Sequence, residues 1–341
     1  MSDQDRLLPE PKVRRTGLFW LAGVAIVALG AGYVGRGLAP PSRTHGAPGR
    51  PLVQIVRQPT FPSLAPAVDR LCPAIATLKA GNSQAAAFAV SADGWLVSSG
   101  TLPSSGLQAT FGDGRTADID EVRADTVSGL VLAHANATGL SAADFADQAF
   151  ARVGDFGFSL QTSGTGCAAV ESMIGSDFLV DAQAQGTYLR MQPGAPPLAP
   201  GSPFFGAEGN VLGVATTAGN GSLLPAPIAA AIVDELIRDN PSPIASFGFR
   251  ATDFTPDLAA RTGDPRARGA GVALVQPNSA AAQGGLRAGD VVIAVNDEPV
   301  SSASELSRAL DAVVSSATLR VVRNNQQLTV QVSRTVRSRA G

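Results

Sequence analysis

The chain has 341 residues, long enough for two or three folded units. Its net charge of −2 leaves no basic field to draw nucleic acid, and its charged share of 16% is low against a usual share of about 25%. Glycine (37) and proline (24) are frequent enough to favour many short strands joined by turns over long helices.

Residues 1–15 read as a cytoplasmic tail. Residues 16–36 follow as a transmembrane helix, because their uncharged run of about 20 residues suffices to cross a bilayer. Lys12, Arg14 and Arg15 precede that run and favour a cytoplasmic N-terminus, with Trp20 and Tyr33 placed as interface anchors. A cleaved signal peptide is the alternative, although its apolar core is normally shorter. Residues 37–63, rich in Pro, Arg and Gly, read as a linker leading off the membrane. In that topology Cys72 and Cys167 face an oxidising compartment. They are read as two separately buried thiols. The alternative is a bond closing a long loop, which would contribute about 4 kcal/mol. Neither has a His or a second Cys nearby in the chain, so no metal site is expected, and no cofactor is either.

From Ala74 the pattern is β. A hairpin runs from Ala87–Val90 through Asp93-Gly94 to Trp95–Val97, and a second turns at Gly112-Asp113-Gly114. Leu130–Leu132 is a short apolar strand. After residue 150 the rhythm repeats, with a turn at Glu208-Gly209-Asn210 leading into Val211–Val214. Two halves of this kind predict a mainly β fold over residues 64–240. Pro227 to Ile237 reads as a closing helix with Ile228, Ile232, Val233, Leu236 and Ile237 on its apolar side.

Residues 241–341 change character. Strands are predicted at Val272–Val275 and Val291–Val295, and a short helix capped by Ser279 stops at Gly284-Gly285. Ser302 and Glu305 form a capping box ahead of a helix over 303–314 that carries Leu306, Ala309, Leu310 and Val313. A last hairpin turns at Asn324-Asn325. The whole is a compact α+β domain.

The run from Ser279 to Val292, with Asn296–Val300 after it, resembles the core signature of a bacterial PDZ domain. Ser246-Phe247-Gly248-Phe249 resembles its carboxylate-binding loop. There glycine allows a bent backbone whose N–H groups converge on a peptide's terminal carboxylate. The resemblance implies a peptide site at Ser246, Phe247, Gly248 and Phe249, with Leu306, Ala309 and Leu310 of the later helix alongside. Residues 65–240 are similar to the HtrA family of trypsin-like serine proteases, through Ser91–Val97, Val153–Phe156 and Val211–Val214. This similarity implies a double β-barrel followed by the PDZ domain.

Carried over residue by residue, the family's catalytic His falls on Thr101, its Asp on Gly129 and its Ser on Pro200. Ser202 and Asp125 lie close by in sequence, but the chain's two histidines are His45 in the linker and His134 beyond the Asp strand. A serine hydroxyl without a base in reach is a weak nucleophile, and Pro200 brings no N–H to an oxyanion hole. Lys79, the one lysine beyond the N-terminal tail, follows the first strand. The expectation is therefore a non-enzymatic member, anchored in a bacterial inner membrane with its bulk in the periplasm. It would bind protein C-termini or unfolded peptides and scaffold or regulate envelope proteins. An active periplasmic serine endopeptidase in protein quality control is one alternative. An accessory subunit of a larger membrane complex is the other. Family trimers use an aromatic ahead of the barrel, matched here by Leu64 or Phe61, so the oligomeric state is left open and a weak or absent trimer is expected.

Overall fold

Turn chemistry places the strands that build the site. A computed structural model describes residues 63–146, 151–181, 186–240, 242–253 and 268–334. A short helix, α1 (Ala65–Leu71), ends at Pro73 in a 3-10 turn, Cys72–Ala74. Six strands follow: β1 (Ile75–Ala80), β2 (Ser83–Ala89), β3 (Trp95–Ser99), β4 (Gln108–Phe111), β5 (Thr116–Ala124) and β6 (Leu130–Ala135). They close into a barrel in the order β1-β2-β3-β6-β5-β4. The turns at Asp93-Gly94 and at 112–114 sit where the sequence places them. Closure removes the exposed edges that so many short strands would otherwise present.

The second barrel repeats the plan with β7 (Phe156–Ser163), β8 (Gly166–Asp181), β9 (Gly186–Met191), β10 (Pro203–Gly206), β11 (Val211–Ala215) and β12 (Leu223–Pro225). Pairing of Leu223 with Leu189 joins β12 to β9 and completes the ring. Helix α2 (Ala226–Ile237) buries Ile228, Ala229, Ile232 and Val233 against a core shared with Phe158, Tyr188 and Phe205. Ile228, Ile232 and Val233 each contribute about 1.5–3 kcal/mol on leaving water.

The C-terminal part comprises a 3-10 turn at Pro243–Phe247, strands β13 (Phe249–Asp253), β14 (Ala270–Val275), β15 (Val291–Val295), β16 (Glu298–Pro299), β17 (Ser316–Arg323) and β18 (Gln326–Ser333), and two helices, α3 (Ala280–Gln283) and α4 (Ala303–Asp311). Asn296 and Asp297 (φ 47° and 68°) and Asn324 and Asn325 (φ 48° and 61°) take paired left-handed conformations, as tight hairpin turns demand. Leu274 of β14 pairs with Gly186 of β9, and Ala273 and Leu274 join the core of the second barrel. The described residues accordingly form one compact unit.

Three expectations need correction. Cys72 and Cys167 are bonded, with Cα atoms 5.7 Å apart, which ties the 3-10 turn before the first barrel to the start of β8. The two sites are 95 residues apart in sequence and meet only because the barrels pack. Helix α4 ends at Asp311, three residues short of the span read from sequence, and leaves Val314 90% exposed. The capping box forms only in part. Ser302 Oγ accepts from Glu305 N–H (3.2 Å), but the Glu305 carboxylate turns to the N–H and hydroxyl of Ser301, both at 2.7 Å. The expected transmembrane span and the linker residue Phe61 lie outside the described residues, among which no helix is long and apolar enough to cross a membrane.

Candidate functional site

The positions carried over from the family converge between the two barrels. Thr101 and Pro200 line one cleft of about 560 Å³, together with Ser99, Gly100, Thr162 and Thr217. Gly129 lies behind its wall. Its carbonyl accepts from Gly100 N–H (2.9 Å) and from Ser99 Oγ (2.9 Å), and Ser99 Oγ in turn accepts from Thr217 N–H (3.1 Å). Gly129 has φ +74°, and a Cβ there would stand 3.0 Å from Thr217 Oγ1. The backbone turn and this close approach both favour glycine.

The loop before β10 is internally bonded. Gly201 N–H donates to Ala215 O (2.7 Å) and Ser202 N–H to Ala199 O (3.0 Å), while Pro200 has no N–H to offer. Ser202 is fully buried, and its hydroxyl has no hydrogen-bond partner among the described residues. His134, the one imidazole among the described residues, lies within β6, near its end, because that strand runs further than its sequence reading. Its Nδ1 is 2.7 Å from Asp120 Oδ1 and its Nε2 is 3.1 Å from the Asp93 carbonyl, with the ring 4.7 Å from that of Trp95. Lys79 is exposed on β1 and takes no part in the lining of the cleft.

Asp125 caps its turn, since Ser128 donates both N–H (2.9 Å) and Oγ (2.5 Å) to Asp125 Oδ2. Sequence reasoning missed its second partner. Arg250 of β13 reaches Asp125 Oδ1 from Nη2 (2.7 Å) and pairs with Glu235 of α2 through Nη1. Burial pushes the Asp125 carboxyl up, but the Arg250 charge and the hydrogen bonds from Arg250 and Ser128 outweigh it and hold the carboxyl below its usual range. The available signal was one arginine in an apolar strand, which names no partner.

In the loop resembling a carboxylate site, Gly248 takes φ +82° at the end of the 3-10 turn. Its N–H donates to Ala245 O (3.0 Å), and its carbonyl accepts from Gln276 N–H (2.8 Å) and Ser279 Oγ (3.3 Å). Ser246 Oγ donates to Pro243 O (2.6 Å). Phe247, Phe249, Leu306 and Leu310 are fully buried in one core, with Ala309 partly buried against it. Arg334 lies 5.3 Å over the Phe247 ring and donates to Leu310 O (2.9 Å). Among the described residues, strand β13 pairs with β14 on one side only. Helix α4 packs beside it, with Ala303 N–H donating to Asp253 Oδ1 (2.7 Å). Among the described residues no cluster of His, Cys, Asp or Glu could hold a metal.

Comparison with known proteins agrees with this architecture. A PDZ-domain family profile matches residues 271–324. A probable periplasmic serine endoprotease, DegP-like, of Rhizobium meliloti (strain 1021) is 30% identical over 254 residues, covering 70% of this chain and 50% of the relative. The periplasmic serine endoprotease DegP of Escherichia coli (strain K12) is 25% identical over 241 residues, covering 66% and 51%. The chain thus spans about half the length of these relatives. Among solved structures, a serine-to-alanine variant of the HtrA-type protease AlgW with a tripeptide shares the fold, with a TM-score of 0.51 and 22% identity, covering 81% of this chain and 97% of that one. These relatives correct the expectation of a non-enzymatic chain. They are named serine endoproteases, which points to the protease class.

Proposed function

From the premise that this chain belongs to the HtrA-type family, with a trypsin-like double barrel and a PDZ domain, we propose that it acts on exported polypeptides as a periplasmic protein of the serine endoprotease class. It captures chains by their C-termini at the PDZ groove and presents them to the cleft between the barrels. The observation that carries this reading is the second edge of β13, which pairs with no strand among the described residues and lies directly after the left-handed turn at Gly248 and beside α4. An extended peptide can add there as a strand, with its terminal carboxylate toward the turn. The names of the curated relatives support the endoprotease class and the periplasm. The uncharged run from Thr16 to Gly35 supports tethering to the inner membrane.

Two measurements on the purified full chain test the proposal. Peptides with free apolar C-termini bind, and their amidated copies bind at least about tenfold more weakly, because the amide removes the charge the groove receives. Equal binding of acid and amide overturns capture by C-termini. Casein turnover and fluorophosphonate labelling, repeated with Ser202→Ala and Thr101→Ala, test the endoprotease class separately. Label lost in one variant alone identifies the reacting hydroxyl. Absence of both turnover and label in the wild-type chain, under conditions where peptides bind, overturns the catalytic part.

A further inference from the structure

The bond between Cys72 and Cys167 stands beside the cleft between the barrels. Cys72 lies in the 3-10 turn that leads straight into β1, whose residues Ile75–Leu78 form part of the cleft wall. Cys167 is the cross-strand partner of Thr162, and Leu160–Thr162 of β7 form another part. These two strands do not pair with each other. β1 pairs with β2 and β4, and β7 pairs with β8 and β10. Among the described residues one hydrogen bond runs between them, Thr77 Oγ1 to Thr162 Oγ1 at 2.6 Å. A bond between neutral hydroxyls adds little net free energy, because each hydroxyl can bond water instead. The disulfide is therefore the stronger tie across this part of the cleft.

The bond is also placed where a thiolate can reach it. Both cysteines are half-buried, and Cys167 lies between an exposed hairpin tip, Ser163–Thr165, and exposed Ala168 and Ala169. Exposed disulfides are the labile ones, since exchange requires access to a sulfur. Room for the sulfurs is kept by Gly112, where a Cβ would stand 2.6 Å from Cys167 Sγ and 2.7 Å from Cys72 Sγ.

We propose that Cys72–Cys167 is a redox latch on the cleft, opened by a dithiol reductant. The inference rests on the reading of this cleft as the place where polypeptides are handled, and names a means of regulating it. A thiolate of the dithiol attacks Cys167 Sγ, the bond between the sulfurs breaks, and Cys72 leaves as a thiolate that takes up a proton. The second thiol of the reductant then displaces Cys167 from the mixed disulfide. The chain gains two thiols and the reductant closes its own disulfide, so two electrons and two protons pass to the chain. With the latch open, the β7–β8 hairpin is held to β1 by Thr162 and apolar packing, and the cleft widens at that end.

The test begins with the full chain in dithiothreitol without denaturant, with free thiols trapped by alkylation and counted by mass spectrometry. Both cysteines are alkylated while far-UV circular dichroism keeps its folded value. Hydrogen exchange is then compared between oxidised and reduced chains. Reduction speeds exchange in Ile75–Ala80 and Phe156–Ser163 at least about tenfold more than in Val291–Val295 and Ser316–Arg323. Cys72→Ala/Cys167→Ala shows the reduced pattern with or without dithiol. Thr77→Val, which removes the remaining cross-strand hydrogen bond, adds to the effect in the reduced chain and changes little in the oxidised one. A bond that resists dithiol in the folded chain, loss of the folded signal on reduction, or exchange that rises evenly through the chain overturns the inference and leaves an ordinary staple. None of these readouts depends on peptide binding or turnover, so failure of the latch is distinguishable from failure of the functional reading.

Discussion

Arg250 Nη2 lies 2.7 Å from Asp125 Oδ1, with both side chains almost completely buried, so one ion pair joins the C-terminal domain to the first barrel. Glu235 of α2 holds the other arm of the same guanidinium. The backbone carbonyl of Asp125 accepts from Gly129 N–H (2.9 Å), and the Gly129 carbonyl holds Ser99 and Gly100 at the cleft. Strand β13 is thereby tied, through four bonded residues, to the wall of the cleft.

Arg250→Met leaves Asp125 buried without its cation. Breaking a buried pair from one side costs about 3–5 kcal/mol, so the urea midpoint of the variant falls sharply. Adding Asp125→Asn to Arg250→Met recovers part of the loss, because the uncompensated charge is gone. A midpoint within error of the parent chain contradicts the account.

Acid weakens the same contact. The folded-state pKa of Asp125 is depressed, so its contribution to stability is fully present above its unfolded value of about 3.9 and is lost as pH falls through the lower folded value. Denaturant stability measured from pH 6 to pH 3 therefore falls more steeply for the parent chain than for Asp125→Asn. Parallel profiles remove Asp125 as the source.

The bond between Cys72 and Cys167 closes a loop of 95 residues, and constraining the unfolded chain this way contributes about 4 kcal/mol. Reduction, or the Cys72→Ser/Cys167→Ser pair, lowers the melting temperature of the full chain by several degrees. Unchanged melting under strong reductant argues against the bond.

Gly248→Val places a β-branched residue at φ +82°, where even a Cβ would stand 2.4 Å from Ser279 Cβ. Peptides with free C-termini then bind at least about tenfold more weakly, or not at all. Ser279→Gly relieves that contact while keeping a tolerated N-cap residue, so it restores some binding in the double variant. Undiminished binding by Gly248→Val detaches the turn from recognition.

Local order was largely legible from the residues. Asp93-Gly94, Asn296-Asp297 and Asn324-Asn325 announce tight turns because so few residue types accept left-handed backbone, and the strands between them follow. Ser279 and Ser302 mark helix starts for an equally local reason, since each accepts from an N–H three residues on. The early end of α4 was passed over although it had a local signal: Val313 and Val314 are β-branched residues of lowered helix propensity, followed by Ser315 and Ser316.

Contacts between distant segments belonged to the tertiary structure alone. Arg250 and Asp125 are separated by 125 positions, and Cys72 and Cys167 by 95. No periodicity or spacing relates residues so far apart, because their meeting depends on how the two barrels and the C-terminal domain pack. By resemblance, the sequence raised the expectation that Thr101, Gly129 and Pro200 take the positions of a triad. That Thr101 and Pro200 line one cleft with wholly neutral walls, with Gly129 behind it, was decided by the barrels, which bring together residues from seven separate segments.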